Sequence, residues 1–236
     1  MTSKLESNAR YAEELKRILG LRREPVAVKL VREEEDYPEG YVVPEGQLSH
    51  CQAVSRASKG ECLKVPFESH NCHVGSAVLG MVQAPEKIIS GEFHASIGIH
   101  DGPEAAARMI ADRLVIPYKT KGEIICPLAK VSFDPDVVVF EDMPERIYWF
   151  VALMTAEKGN RAEFSTAPFQ CVCEDSTTIP IMTGRPNISL GCYGCRKRTD
   201  MRPDEMAIGV PYDMIPGFVE RLAKYEEGVF KKAKRD

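Results

Sequence analysis

The stretch Pro25-Val26-Ala27-Val28-Lys29-Leu30-Val31 indicates the fold class, because a run of β-branched residues behind a proline predicts a strand. Upstream, apolar residues recur every three or four positions over residues 5–21, which predicts an amphipathic helix that ends near Gly20. Further strands are expected at residues 123–126 and 137–140, both rich in β-branched residues. Strands and helices therefore alternate in part of the chain.

Three more helices follow from the same periodicity. Asp101-Gly102-Pro103 predicts a helix that begins near Pro103, since a proline fits the first turn. Apolar stripes predict helices over residues 144–158 and 213–233, whereas residues 164–203 show no regular pattern. We therefore expect a single globular domain over residues 1–236, of α/β or α+β class. It would have a mixed β-sheet, packed helices at both ends of the chain and a cysteine-bearing loop region.

The composition narrows the function classes. The 236 residues include 31 Lys and Arg against 35 Asp and Glu, so the formal net charge is −4. The acidic isoelectric point of about 5.8 argues against a nucleic-acid-binding protein, which would normally show a basic face. No run of eighteen apolar residues and no secretory leader is visible, which predicts a cytoplasmic protein that does not span a membrane. In a reducing cytoplasm, the eight cysteines are expected to be thiols.

The segment Gly191-Cys192-Tyr193-Gly194-Cys195-Arg196 is the sharpest chemical motif. Two thiols in a C-x-x-C can chelate one metal centre, and the glycines allow backbone N–H groups to approach the sulfurs. A redox dithiol is the competing interpretation, but that motif usually follows a strand and opens a helix, and the glycines here favour a loop. Arg196 is expected to balance the charge of a cofactor or to bind an anion.

More ligands are needed, because a structural zinc or a [4Fe–4S] cluster usually takes four. One of Cys171 and Cys173 is expected to contribute, and the fourth thiol would come from Cys72 or Cys51. His73, beside Cys72, could bind the cofactor or move protons. Cys62 and Cys126 are expected to be buried thiols.

Taken together, these segments resemble the uncharacterised prokaryotic family called domain of unknown function 169, known from archaea and anaerobic bacteria. The resemblance rests on PVAVKL at residues 25–30, HCQAV at 50–54, HNCHVGSAVLG at 70–80, SGEF at 90–93, FDPDVV at 133–138 and NISLGCYGCR at 187–196. It implies cysteines at the positions of Cys51, Cys72, Cys173, Cys192 and Cys195. The family has no assigned reaction to carry over.

We therefore expect an iron–sulfur protein with one [4Fe–4S]-type cluster and a redox or small-molecule-activating role, either as an oxidoreductase or as another iron–sulfur-dependent enzyme. The main alternative is a zinc-stabilised module that binds a small anion without redox chemistry. A metal-free thiol–disulfide oxidoreductase that uses Cys192 and Cys195 is a third interpretation. The expected partner is a small molecule or an electron-transfer protein, and a homo-oligomer is compatible with the sequence.

Overall fold

A six-stranded sheet forms the centre of the computed structural model, which describes residues 3–230. Its strands, in chain order, are β1 (Val26–Arg32), β2 (Leu63–Pro66), β3 (Thr120–Pro127), β4 (Val137–Asp142), β5 (Asn187–Ser189) and β6 (Met206–Pro211). In space they follow the order β2-β3-β1-β4-β6-β5, and every strand pair is antiparallel. Within the described chain, parallel pairing is limited to isolated bridges such as that between Val42 and Leu63.

The predicted combination of one sheet and packed helices in a single domain is confirmed. Antiparallel pairing assigns it to the α+β class rather than to α/β, and the sheet is mixed only through its isolated bridges. The three strands predicted from β-branched runs lie within β1, β3 and β4. They are buried on both faces, which explains why they read as continuous apolar runs.

Ten helices cover the sheet in the described part of the chain. They are α1 (Lys4–Leu19), α2 (His50–Ala57), α3 (His73–Val78), α4 (Glu86–Ile89), α5 (Glu92–Ala95), α6 (Pro103–Ala111), α7 (Pro144–Thr155), α8 (Ile179–Thr183), α9 (Tyr193–Arg198) and α10 (Ile215–Glu227). A π-helix over Cys171–Thr178 leads directly into α8, and short 3-10 turns lie at Phe67–Ser69, Leu128–Lys130 and Tyr212–Met214.

The helix ends differ slightly from the predicted ones. Helix α1 begins one residue early because Ser3 forms a capping box with Glu6, and it ends at Leu19 because Gly20 takes the left-handed conformation at φ 64°. The C-terminal helix begins at Ile215 rather than at residue 213, since a 3-10 turn precedes it. Helix α10 ends at Glu227, and residues 231–233 of the predicted helix lie outside the described residues.

Alternation along the strands separates the core into two layers. Ala27, Val138 and Ile208 face one side, where the three long helices α1, α7 and α10 pack. Val28 and Val139 face the other side, where helices α2 and α3, the π-helix and Cys195 of α9 pack. The sheet therefore separates the long helices from Cys195 and from the helices α2 and α3 and the π-helix.

Residues 164–203 are more regular than predicted. They hold the π-helix, α8, β5 and α9, so the expectation of a loop-rich region is wrong. The π-helix touches the sheet at Gly209, where a Cβ atom would lie 1.9 Å from the carbonyl oxygen of Ser176. Only glycine permits this approach, which fixes the π-helix against β6.

Two cysteines are not thiols. Cys62 and Cys126 form a disulfide, so the expectation of eight thiols is wrong at these two positions. Cys126 lies on β3 and Cys62 just before β2, and neighbouring strands bring the two side chains together. The other six cysteines are free. Over residues 3–230, no helix combines the length and the apolar character needed to cross a bilayer.

Candidate functional site

A cavity of about 400 Å³ opens on the cysteine side of the sheet. The five cysteines singled out by the family resemblance all line it: Cys51, Cys72, Cys173, Cys192 and Cys195. They come from four separate elements, since Cys51 is on α2, Cys72 precedes α3, Cys173 is on the π-helix, and Cys192 and Cys195 belong to the start of α9. The fold thus gathers thiols that are far apart in sequence.

The thiols form two groups within the cavity. The Sγ atoms of Cys192 and Cys195 lie 3.2 Å apart, and the thiol of Cys51 is hydrogen-bonded to that of Cys195. Cys72 and Cys173 form the second group around Gly75, where a Cβ atom would lie 3.6 Å from each Sγ atom. Gly75 therefore leaves open the space between these two sulfurs.

Backbone donors point at two of the sulfurs. Cys192 occupies the N-cap position of α9, where its Sγ accepts the N–H of Cys195 at 3.3 Å. Cys72 occupies the N-cap position of α3, and its Sγ accepts the N–H of Gly75 at 3.4 Å. A hydroxyl or carboxylate oxygen usually takes this role, so both thiols stand where a helix end favours negative charge.

The surroundings shift the thiol pKa values in opposite directions. Hydrogen bonds with the thiols of Cys171 and then Cys195 hold the pKa of Cys192 well below its ordinary value. Burial raises the pKa of Cys173 and that of Cys72. Among the cavity thiols, the pKa values of Cys192 and Cys51 are therefore lowered, whereas those of Cys72 and Cys173 are raised.

Cys171 differs from Cys173 in that it does not line the cavity, although its sulfur neighbours that of Cys192. Its thiol donates to the carbonyl oxygen of Ala167 at 2.8 Å and is not part of the cavity wall. One of the two cysteines was expected to be a ligand, and Cys173 is the one that lines the cavity. The π-helix separates them, because its wider turn changes the direction of side chains two residues apart.

A buried carboxylate lies behind the cavity. The two Glu123 oxygens lie 2.8 Å from His50 Nδ1 and 3.3 Å from His70 Nε2, and His50 Nε2 lies 3.0 Å from the Thr177 hydroxyl. Burial raises the pKa of Glu123, but the two histidines outweigh it and bring this pKa to about 2. Glu123 thereby joins the segments that carry Cys51, Cys72 and Cys173.

The two other predicted site residues have different positions. His73, the first residue of α3, lines the cavity and is exposed at its mouth. Arg196 does not line the cavity; its guanidinium donates to the backbone carbonyls of Leu190, Arg202 and Glu205. These contacts hold the chain around α9, and the contact of Arg196 with a cofactor or an anion stays a prediction.

The prediction of a loop at the C-x-x-C motif is wrong. Strand β5 ends at Ser189, and Cys192 caps the short helix α9, so the motif follows a strand and opens a helix. That arrangement is the one expected of a redox dithiol, which the sequence analysis had disfavoured.

Sequence reasoning missed the second wall of the cavity. His94 packs between Phe93 and Phe169, with ring centroids 5.2 Å and 4.7 Å away, respectively. Gln170 also lines this wall, in the left-handed conformation at φ 63° that is rare for a residue with a side chain. The SGEF motif that ends at Phe93 was the available signal, but nothing local connects it with Phe169.

The donors are not gathered around one point. Across residues 3–230, no group of three or more His, Cys, Asp or Glu side chains is arranged to hold a single metal ion. One tetrahedral zinc ion would require four sulfurs close to a common centre, whereas each thiolate of a cluster binds a different iron atom. The described thiols match neither arrangement as they stand.

Comparison with known proteins covers nearly the whole chain. An uncharacterised protein of Methanocaldococcus jannaschii, MJ0308, is 26% identical over 218 residues, which span 92% of this chain and 94% of that protein. No solved structure gives a significant match. Residues 14–221 match the model of domain of unknown function 169, described as an uncharacterised ArCR. The chain therefore belongs to the family of domain of unknown function 169.

Proposed function

We propose that this protein binds one [4Fe–4S]-type iron–sulfur cluster and has a redox or small-molecule-activating role. The observation that carries the proposal is a single cavity lined by five cysteines and, within residues 3–230, by no Asp or Glu. Thiolates are the usual ligands of iron–sulfur clusters, and a carboxylate would repel their negative charge.

The cavity meets two further requirements of a cluster. Backbone N–H groups already donate to Cys72 and Cys192, and such hydrogen bonds to sulfur tune the reduction potential of clusters. Gly75 leaves room between Cys72 and Cys173, where any larger side chain would project. These features support a cluster more directly than a single zinc ion, for which three or more donors would have to converge.

In this proposal, Cys51, Cys192 and Cys195 hold one side of the cluster, and Cys72 and Cys173 hold the other. Four thiolates suffice, so one of the five is left without an iron atom. A bound cluster would supply one-electron transfer or a Lewis-acidic iron. The protein would fix the ligand positions through the His50–Glu123–His70 contacts behind the cavity and would exclude water with its apolar wall.

A second candidate function, thiol–disulfide exchange, is favoured by a specific observation. Cys192 and Cys195 lie 3.2 Å apart at the start of a helix, and hydrogen bonds lower the pKa of Cys192. Oxidation would join these two sulfurs and release two electrons and two protons to a partner disulfide. This function uses only two of the five cavity cysteines, so it explains less of the site.

Metal analysis of protein purified without oxygen tests the proposal. We expect brown protein with about four iron atoms and four sulfides per chain, as a [4Fe–4S] cluster requires. Cys173→Ser should lose iron, whereas Cys171→Ser, two residues earlier, removes a neighbour of Cys192 but no proposed ligand and should retain it. Colourless protein with one zinc per chain would support the zinc alternative, and metal-free protein with a reversible Cys192–Cys195 disulfide would support thiol exchange.

We also propose a reducing compartment, such as the cytoplasm, as the location of this protein. Six free cysteines support it, including two whose sulfurs are close but not bonded, whereas the Cys62–Cys126 disulfide is an exception that would have to persist there. The partner would be a small molecule or an electron-transfer protein. The proposal includes a homo-oligomer, and the sedimentation coefficient of the iron-loaded protein would test it.

A further inference from the structure

The mouth of the cysteine cavity has a charge opposite to that of the whole protein. The chain has a net charge of −4, yet the only charged side chains that line the cavity, within residues 3–230, are Lys87, Lys197 and Arg198. All three are exposed, and none lies within 4.0 Å of a carboxylate in that part of the chain. Unpaired cations around a concave site attract anions.

These cations are too exposed to serve mainly as counter-charges for the thiols. Water screens an exposed ammonium or guanidinium from a buried charge. The same exposed cation remains available to a ligand that enters the mouth of the cavity. Lys197 also lies over the ring of Tyr193, 5.6 Å from its centroid, so that its charge is held beside the opening. The charge pattern therefore points to an incoming anion.

Part of the cavity lining is aromatic and apolar. The ring of His94 packs edge to face on Phe93 and is tilted by 60° against Phe169, and Ile88 and Ile97 also line the cavity. Burial lowers the pKa of His94, so its ring is neutral at neutral pH and adds no charge to this wall. Gly91 fixes the wall, because a Cβ atom there would lie 2.1 Å from the carbonyl oxygen of Pro103 on α6.

Two polar atoms on this wall have no partner in the described structure. His94 Nδ1 and Gln170 Nε2 are both buried without a hydrogen bond. Buried nitrogens of this kind are rare in folded proteins and are often paired with a ligand when one binds. They add hydrogen-bonding capacity to a wall that is otherwise hydrophobic.

We propose that this half of the cavity binds a small carboxylate with a flat, unsaturated body, such as an aryl carboxylate. The carboxylate would lie near Lys87, Lys197 and Arg198, and the flat body would pack against Phe93, His94 and Phe169. The whole cavity, of about 400 Å³, is near the lower end of the range of small-molecule sites, so a ligand that shares it with the thiols has to be small. The inference deepens the proposed function, since the ligand would lie beside the thiols proposed to hold the cluster.

Calorimetric titration of the oxygen-free protein with benzoate, benzamide and acetate tests the proposal. Benzamide keeps the ring but removes the charge, and acetate keeps the charge but removes the ring. We expect benzoate to bind at least tenfold more tightly than either one. Equal affinity for benzamide, equal affinity for acetate, or no binding of benzoate would overturn the proposal.

Two double variants locate the binding site. Lys197→Gln with Arg198→Gln should weaken benzoate binding at least tenfold, and these exposed residues can change without loss of folding. The matched control is Lys158→Gln with Arg161→Gln, which removes two exposed cations from a separate groove beside α7 and α10. Equal losses in both double variants would show non-specific attraction and would overturn the proposal.

The same titration separates this inference from the proposed function. Specific benzoate binding by protein isolated without iron would support the subsite and overturn the cluster. Iron-loaded protein that does not bind benzoate would overturn the subsite alone.

Discussion

Replacement of Glu141 by glutamine should stabilise the protein at pH 8 and leave it unchanged at pH 4.5. Glu141 lies on β4, 4% exposed, and its Oε2 has no hydrogen-bond partner in the described structure. The nearest cation, Arg23, is 4.0 Å away. Burial outweighs the attraction of Arg23 and raises the pKa of Glu141 to about 7. Glutamine has the shape of the neutral acid and cannot ionise.

The magnitude follows from the difference in pKa between the two states. The ordinary value is 4.5, so between pH 4.5 and about 7 the unfolded chain releases a proton that the folded protein retains. The folded state then binds more protons, so the free energy of unfolding falls as the pH rises. At about 1.36 kcal/mol per pH unit, the total loss is about 3 kcal/mol, reached just above pH 7. Glu141→Gln removes this loss.

Urea denaturation at several values between pH 4.5 and pH 8.5 measures the effect. The free energy of unfolding of the variant minus that of the wild type should increase with pH and level off near 3 kcal/mol. Glu163→Gln, at an exposed position, should give the same difference throughout the range. A Glu141→Gln curve parallel to that of the wild type would show that Glu141 is ionised in the folded protein and would refute the argument.

Three further substitutions test other features. Glu123→Gln should have the opposite pH dependence, because the lowered pKa of Glu123 stabilises the folded protein above pH 4.5 and this stabilisation is lost towards pH 2. Urea denaturation at pH 7 should show that the variant has lost about 3 kcal/mol of its free energy of unfolding. Gly209→Ala should lower the free energy of unfolding by about 1–3 kcal/mol or more, since its Cβ atom would overlap the Ser176 carbonyl oxygen, while Gly217→Ala, with no atom within 4 Å of its Cβ, should leave the Tm nearly unchanged. Gly75→Ala should lower the iron content of the purified protein with little change in Tm, because its methyl group would enter the space between the sulfurs of Cys72 and Cys173.

The elements that sequence predicted well have local causes. Helix α1 carries its own capping box and C-terminal glycine, and β1 and β4 are dense in β-branched residues. The five cavity cysteines could also be predicted, because the spacing of the thiols and the family motifs are both visible in the sequence. That these five cysteines would share one site could be predicted without knowing the order of the strands in the sheet.

The features that sequence missed depend on distant contacts. The π-helix has no local signature, and its polar residues become buried through bonds that the sequence does not indicate, such as that from Thr178 to the Val78 carbonyl oxygen. The wall formed by His94 and Phe169 likewise requires two segments to meet. The disulfide was missed because the assumed reducing compartment excluded it, although antiparallel strands bring its cysteines together.

The order of the cysteines along the chain has a consequence for biosynthesis. Cys51 leaves the ribosome 144 residues before Cys195, which at roughly 5–20 residues per second corresponds to about 7–30 s. During this interval, the first thiols of the cavity have none of their partners from α9. If the proposed cluster is bound, metal delivered at that stage would meet an incomplete ligand set, so loading would have to wait until nearly the whole chain has been synthesised. The early thiols must therefore survive oxidation as a nascent chain before they acquire their function.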